Sequence, residues 1–199
     1  TLVAQVLTFD LSWLTPLLLV CGLIMHQRYK NKGKYQHIAR ALIGLGIVLL
    51  SLSLIKTSSI TLKEMEILPV ILQSLEKEPL LALIITALMT WLLHSSLAAV
   101  LIISSFTASG IITLKLGLLL VLGANLGAAI APFIMTYNMS ARTRHITLGN
   151  LIMRLTMVTL LLPIQGAFIT FSEALQFQNL GGREFIHFHT LFNILLACL

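Results

Sequence analysis

The stretch MTWLLHSSLAAVLIISS, Met89–Ser105, sets a His-Ser-Ser triplet, His94, Ser95 and Ser96, in the middle of an apolar run. The segment around it extends from Leu80 to about Gly110, about 45 Å as one helix against a hydrocarbon core of about 30 Å. Divided at the triplet, each half reaches only about 20 Å. Neither half spans. A re-entrant hairpin that enters and leaves on one side and turns at mid-membrane fits both lengths. The alternative is an unbroken span whose serines bond back to their own helix carbonyls.

The rest of the chain supports a membrane setting. Of its 199 residues 57% are hydrophobic and 10% charged, and the mean hydropathy is +0.97, far from the balance of a soluble domain. Apolar runs recur at Leu11–Met25, Ala41–Ile55, Leu80–Leu93, Leu97–Ser109, Leu116–Met135, Ile146–Ile164 and Phe185–Leu199. The fold class is therefore all-α and polytopic, several helices in one bundle. The net charge of +6 sits in loops without aromatic interleaving, which excludes nucleic acid as the partner and points to a lipid bilayer. Cys21 and Cys198 stand in apolar runs without metal or disulfide spacing.

Loop charge gives an orientation. His26–Arg40 carries five basic residues and no acid, which makes it cytoplasmic. Ala41–Ile55 then exits outward, and EMEILPVILQSLEKE, Glu64–Glu78, is an outer segment along the interface. With a hairpin next, Lys115 lies at the outer edge, Leu116–Met135 crosses inward, and Arg142 and Arg144 reach the cytoplasm as the rule requires. Three regions follow: residues 1–79, linker helices with the outer segment; 80–135, the hairpin and the helix after it; and 136–199, the C-terminal helices. The chain opens without Met and closes inside an apolar run, so a fragment of a longer protein is expected.

Chemistry concentrates at the polar interruptions. Non-helical backbone at membrane depth must be buried in protein or line a wet cavity, and a Ser-Ser turn brings hydroxyls and free helix-end amides that attract anions, while carbonyls and hydroxyls ligate sodium. A second interruption, VLGANLGAAIAP, Val121–Pro132, reads as a broken helix around Gly123–Gly127, with Asn125 offering both donor and acceptor. The competing reading is close helix packing through small residues. Asn150 with Arg154, and His189 with Asn193, are pairs at i,i+4 that share a helix face, although Arg154 also lies within snorkelling reach of the basic loop. His187 and His189 point to different faces, so no metal site is expected. The neighbours His94 and Ser95 lack the geometry and the orienting acid of a hydrolase, and no enzyme is expected.

Together these elements resemble the bacterial sodium/phosphate cotransporter family, whose members carry two inverted repeats, each with a Gln-Ser-Ser-rich re-entrant segment followed by a Gly-Ala-Asn-(Ile/Leu)-Gly-Thr-Thr element. Thr86–Pro132 is similar to one complete repeat core, and the likeness extends through GLGIVLLSLSLI before it and RHITLGNLIMRL and FIHFHTLFN after it. The opening TLVAQVLTFDLSWLTPLLL resembles the stretch after the first repeat's Gly-Thr-Thr element. His94 replaces the usual Gln, adding a side chain that can switch charge, and Ala128 and Ala129 replace the Thr-Thr pair.

The resemblance implies half of an inverted-repeat transporter in a bacterial inner membrane. Inorganic phosphate would be its substrate, with sodium as coupling ion and no cofactor, in import or export. The first repeat of the same protein would be the missing partner. Ser95, Ser96, Asn125 and His94 are the candidate substrate contacts. Ser95, Asn125 and the carbonyls of Gly123 and Ala124 are the candidate ion ligands, and Asn150, Arg154, His189 and Asn193 the supporting polar groups. The rival function is a non-transporting sensor or docking subunit of phosphate regulation.

Overall fold

The computed structural model describes residues 13–29, 33–65, 67–174 and 183–197. Thr1–Ser12, Lys30–Lys32, Glu66, Leu175–Gly182, Cys198 and Leu199 lie outside the described residues, and with them most of the opening stretch. Within the described residues the chain is helical: α1 Leu14–Arg28, α2 Gly33–Lys63, α3 Ile67–Lys77, α4 Pro79–Leu93, α5 Ser96–Ala108, α6 Leu114–Met135, α7 Ala141–Leu161, α8 Gln165–Ala174 and α9 Arg183–Ala197. Gly33–Ile55 of α2 and Leu114–Met135 are long and apolar enough to cross a membrane, while α1, α4, α5 and the apolar part of α9 are shorter.

The basic segment before Ala41 is not simply a loop: from Gly33 it is already the start of α2, which runs on past Ile55. No proline interrupts this stretch, and propagation adds a hydrogen bond for each residue fixed. α1 packs along α2, with Gly22 against Ile43 and Ala39, and Gly46 against Leu19.

The remaining helices gather around α6. Leu116, Leu118, Val121 and Leu122 form a core with Val100 of α5 and with Phe185, Ile186 and Phe192 of α9, and Gly117 leaves room for the Phe185 ring. α4 shows why the molecule suits lipid. Its exposed face carries Leu80, Ile84, Leu88 and Leu92 at every fourth position, whereas Ala82, Leu83, Thr86, Ala87 and Thr90 are buried. Apolar outside and small or polar inside is the arrangement of a helix whose outer medium is hydrocarbon.

The split between α4 and α5 falls at the triplet. His94 is left-handed at φ 52°, ψ 22°, and is the non-glycine residue of positive φ among the described residues. Extended Ser95 follows, and its Oγ caps α5 by accepting from Ala98 N at 3.1 Å. At the far end of α5, Gly110 is left-handed, its N–H donates to Thr107 O at 2.8 Å and the Ile111 N–H to Phe106 O at 2.9 Å, a paired closure that ends the helix cleanly. Thr113 then caps α6 by accepting from Leu116 N, and donates its hydroxyl to Glu76 Oε2 at 2.7 Å. Glu76 stands just before Pro79, so the entry and exit of the α4–α5 pair meet at one end.

The expected break at Gly123–Gly127 is not there: α6 is continuous from Leu114 to Met135. The two glycines serve packing instead. A Cβ on Gly123 would lie 2.8 Å from the Leu83 carbonyl oxygen and 2.9 Å from Thr86 Cβ, and one on Gly127 would collide with the Ala87 carbonyl and lie 2.8 Å from Thr90 Cβ. The order of these contacts makes α4 and α6 parallel. A mid-helix glycine costs only about 1 kcal/mol, and contact along a seam this close offsets it. Gly127→Ala is expected to lower the stability of the detergent-solubilised full-length protein by about 1–3 kcal/mol, read by thermal unfolding. Gly149→Ala, with no heavy atom within 4 Å of the added Cβ, should leave it unchanged or raise it.

Candidate functional site at the helix turn

Because α4 and α6 run parallel in close contact, the turn after α4 arrives beside the last two turns of α6. A cavity of about 400 Å³ lies there, lined by Thr90, His94, Ser95, Ser96 and Leu97 on one side and by Ala128, Ala131, Pro132 and Met135 on the other. The stripe 128, 131/132, 135 is one face of α6. The middle of α6 is near Asn125, so the turn lies about two helical turns beyond it along α6.

The lining is chemically mixed. Ser95 and Ser96 supply hydroxyls, and the first amides of α5, Ser96 N–H and Leu97 N–H, are helix-end donors without an intrahelical acceptor. The His94 ring lies with Nδ1 3.0 Å from Leu92 O, folded back on its own helix end. Thr90 was not singled out from the sequence, yet its hydroxyl is buried without a hydrogen-bond partner. Thr86, one turn earlier, bonds back to Ala82 O at 2.8 Å. The signal available was Thr90 standing four residues before His94 in an otherwise apolar run. Pro132 was likewise passed over: lacking an N–H, it leaves the Ala128 carbonyl without its ordinary helical donor.

Asn125 is not part of this lining. It is fully buried, its Nδ2 donates to Val121 O at 2.9 Å, and its main-chain O and Oδ1 accept from Arg154 Nη1 at 3.2 and 3.3 Å. Arg154 Nε donates to Asn150 Oδ1 at 3.2 Å. The guanidinium therefore turns toward α6 rather than snorkelling to the basic loop, and neutral oxygens hold it. Gly123 and Ala124 are buried in the same continuous helix. On α9, Asn193 Nδ2 donates to His189 O at 2.7 Å and lies 3.3 Å from His189 Nε2. His189 is buried and His187 exposed, as the spacing required. Among the described residues no group of three His, Cys, Asp or Glu side chains could hold a metal ion.

The structure thus brings His94, Ser95 and Ser96 together at one cavity, joins Asn125, Asn150 and Arg154 in a second cluster, and leaves His189 and Asn193 as a pair on α9. The first collects hydroxyl and amide donors, with no carboxylate in its lining. Such a set can bind an oxyanion.

Residues 1–57 and 59–195 match the Na+/Pi-cotransporter family. The chain belongs to that family. It is 37% identical over 199 residues to the "Putative inorganic phosphate export protein YjbB" of Escherichia coli (strain K12), covering all of this chain and 36% of that protein. The protein of the same name from Salmonella typhimurium is 35% identical over 198 residues, again 36% of its length. The "Uncharacterized protein YqeW" of Bacillus subtilis is 26% identical over 169 residues, 84% of this chain and 54% of that protein. The chain therefore spans just over a third of the length of the phosphate export relatives. No solved structure matches it.

Ser95→Ala removes the acceptor that caps α5 and is expected to cost about 1 kcal/mol of stability. Ser95→Asn keeps a capping oxygen but replaces the hydroxyl. If Ser95 contacts the ligand as well as capping, the asparagine variant should melt like the parent in the full-length protein and still bind phosphate more weakly, measured by calorimetry.

Proposed function

We propose that the full-length protein is a secondary transporter that carries inorganic phosphate across the bacterial inner membrane, coupled to sodium, and that this chain supplies one of its two inverted repeats with flanking helices. The observation that carries this reading is the cavity at the His94–Ser96 turn, donor-rich and free of carboxylates, in a chain of the Na+/Pi-cotransporter family. The name of the phosphate export relatives supports phosphate as the cargo. Ser95 and Ser96, with the α5 amides, are the substrate contacts, and His94 shapes the turn that presents them.

In this reading α4 and α5 form a re-entrant hairpin. The Glu76–Thr113 hydrogen bond supports it, since it ties the two open ends of the pair together. The second cluster acts at a distance. Arg154 has no carboxylate within bonding range among the described residues, and Asn125 lies one turn, about 5 Å along the axis, from Ala128 of the cavity. A guanidinium held by neutral groups in a low-dielectric bundle biases the site toward an anion. Sodium ligands come from Ser95 and main-chain carbonyls here and from the other repeat.

Labelled phosphate flux into proteoliposomes of the full-length protein tests this directly. The expected result is flux that rises with an inward sodium gradient. Its absence in a folded, correctly inserted protein would replace transport with the sensing or docking role. Single cysteines at Pro79 and Thr113 should both react with an impermeant thiol reagent from the periplasmic side; labelling from opposite sides would remove the hairpin.

A further inference from the structure

Donor groups alone do not separate phosphate from sulfate. The two tetrahedral oxyanions have similar size and accept the same hydrogen bonds. They differ in one respect: at neutral pH inorganic phosphate still carries an acidic hydrogen, and sulfate carries none. A site that offers one well-placed acceptor among its donors therefore favours phosphate, because the acceptor bonds the phosphate O–H and repels the lone pairs of sulfate.

The cavity lining offers a candidate for such an acceptor. In a continuous helix the carbonyl of residue i accepts from the N–H of residue i+4. At Ala128 the residue four places on is Pro132, which has no N–H, and α6 passes through it without ending. The Ala128 carbonyl, directed along the axis toward Pro132, is left without that bond. Both residues belong to the cavity lining, opposite Ser95 and Ser96.

The donor side is completed by Thr90. Its side chain is 1% exposed, its Oγ1 has no partner, and it belongs to the same lining. Thr15 of α1 also has a buried hydroxyl without a partner, away from this cavity, whereas Thr86, Thr107, Thr156, Thr159 and Thr190 each donate to the carbonyl four residues earlier. Thr90 sits where Gly127 admits its Cβ into the α4–α6 seam, which fixes the side chain at the cavity wall.

We propose that the Ala128 carbonyl, freed by Pro132, accepts the O–H of hydrogen phosphate while Thr90 donates to another of its oxygens, so that this pair makes the cavity selective for a protonated oxyanion over sulfate. This rests on the phosphate reading above and adds its specificity determinant.

The test uses the full-length protein in proteoliposomes, with labelled phosphate as the probe and sulfate as competitor. Pro132→Ala and Pro132→Gly both restore the N–H and occupy the Ala128 carbonyl, yet differ from each other by about 1 kcal/mol in helix propensity. Each is expected to raise the phosphate KM about tenfold, the size of one lost hydrogen bond to an ion, and to let sulfate compete. Thr90→Val should raise the phosphate KM by a similar factor without admitting sulfate, Thr90→Ser should restore it, and the control Thr86→Val should leave it unchanged.

Parent protein that carries phosphate but is inhibited equally by sulfate, or proline variants with parental KM and parental sulfate exclusion, would overturn the inference while phosphate transport stands. A Thr90→Val protein with unchanged phosphate KM and altered sodium dependence would overturn the role of Thr90 as an anion donor. Parent protein that neither carries nor binds phosphate would overturn both readings together.

Discussion

Close contact between α4 and α6 is the constraint on which the rest of the molecule depends. Gly123 and Gly127 remove two side chains from α6, and the carbonyls of Leu83 and Ala87 fill the space. That contact sets α4 parallel to α6 and fixes their relative height, and the height places the turn at His94 opposite Ala128–Met135. A shift of one residue along the seam would move the turn by about 1.5 Å and rotate the stripe away by about 100°. The cavity exists because two glycines hold one helix at one level.

Polar groups in the interior follow a consistent logic. Most helical hydroxyls return to their own backbone, and Asn125 and Asn150 engage the guanidinium of Arg154. Among the described residues, Thr15, His26, Thr90, Gln165 and His189 each keep a buried side-chain atom without a partner. Thr90 differs from the other four in lining the same cavity as the free helix-end amides of α5, so open donors meet there.

The α4–α5 split was legible because length and polarity agreed on it: the segment was too long for one crossing, and the polar triplet lay at its centre. Family membership was legible from the same triplet together with the Gly-Ala-Asn-Leu-Gly element. The continuity of α6 was not. Glycine weakens a helix in isolation, and only the approach of α4 shows that these positions are occupied by a neighbour's backbone. The direction of Arg154 was hidden for a related reason, since both a nearby aqueous boundary and inward acceptors were within its reach, and Asn125 settled it. Thr90 and Pro132 escaped notice because each is unremarkable by type. What distinguishes them is a hydrogen bond that does not form, and a sequence displays bonds of that kind only after the helix register is known.

Glu76, held by Thr113 and flanked by Lys115 at 3.6 Å, fastens the open end of the α4–α5 pair. A beam clamped at one end deflects most at the other. The clamp lies about 20 Å from the turn, so the two residues joining α4 to α5 stand at the end of the pair where displacement is greatest. One of these, His94, already occupies a backbone conformation that a branched side chain would resist. The compliance of the whole pair is thereby delivered to the few peptide units that face the cavity, and a small force at the clasp has its largest mechanical effect where the ligand would sit.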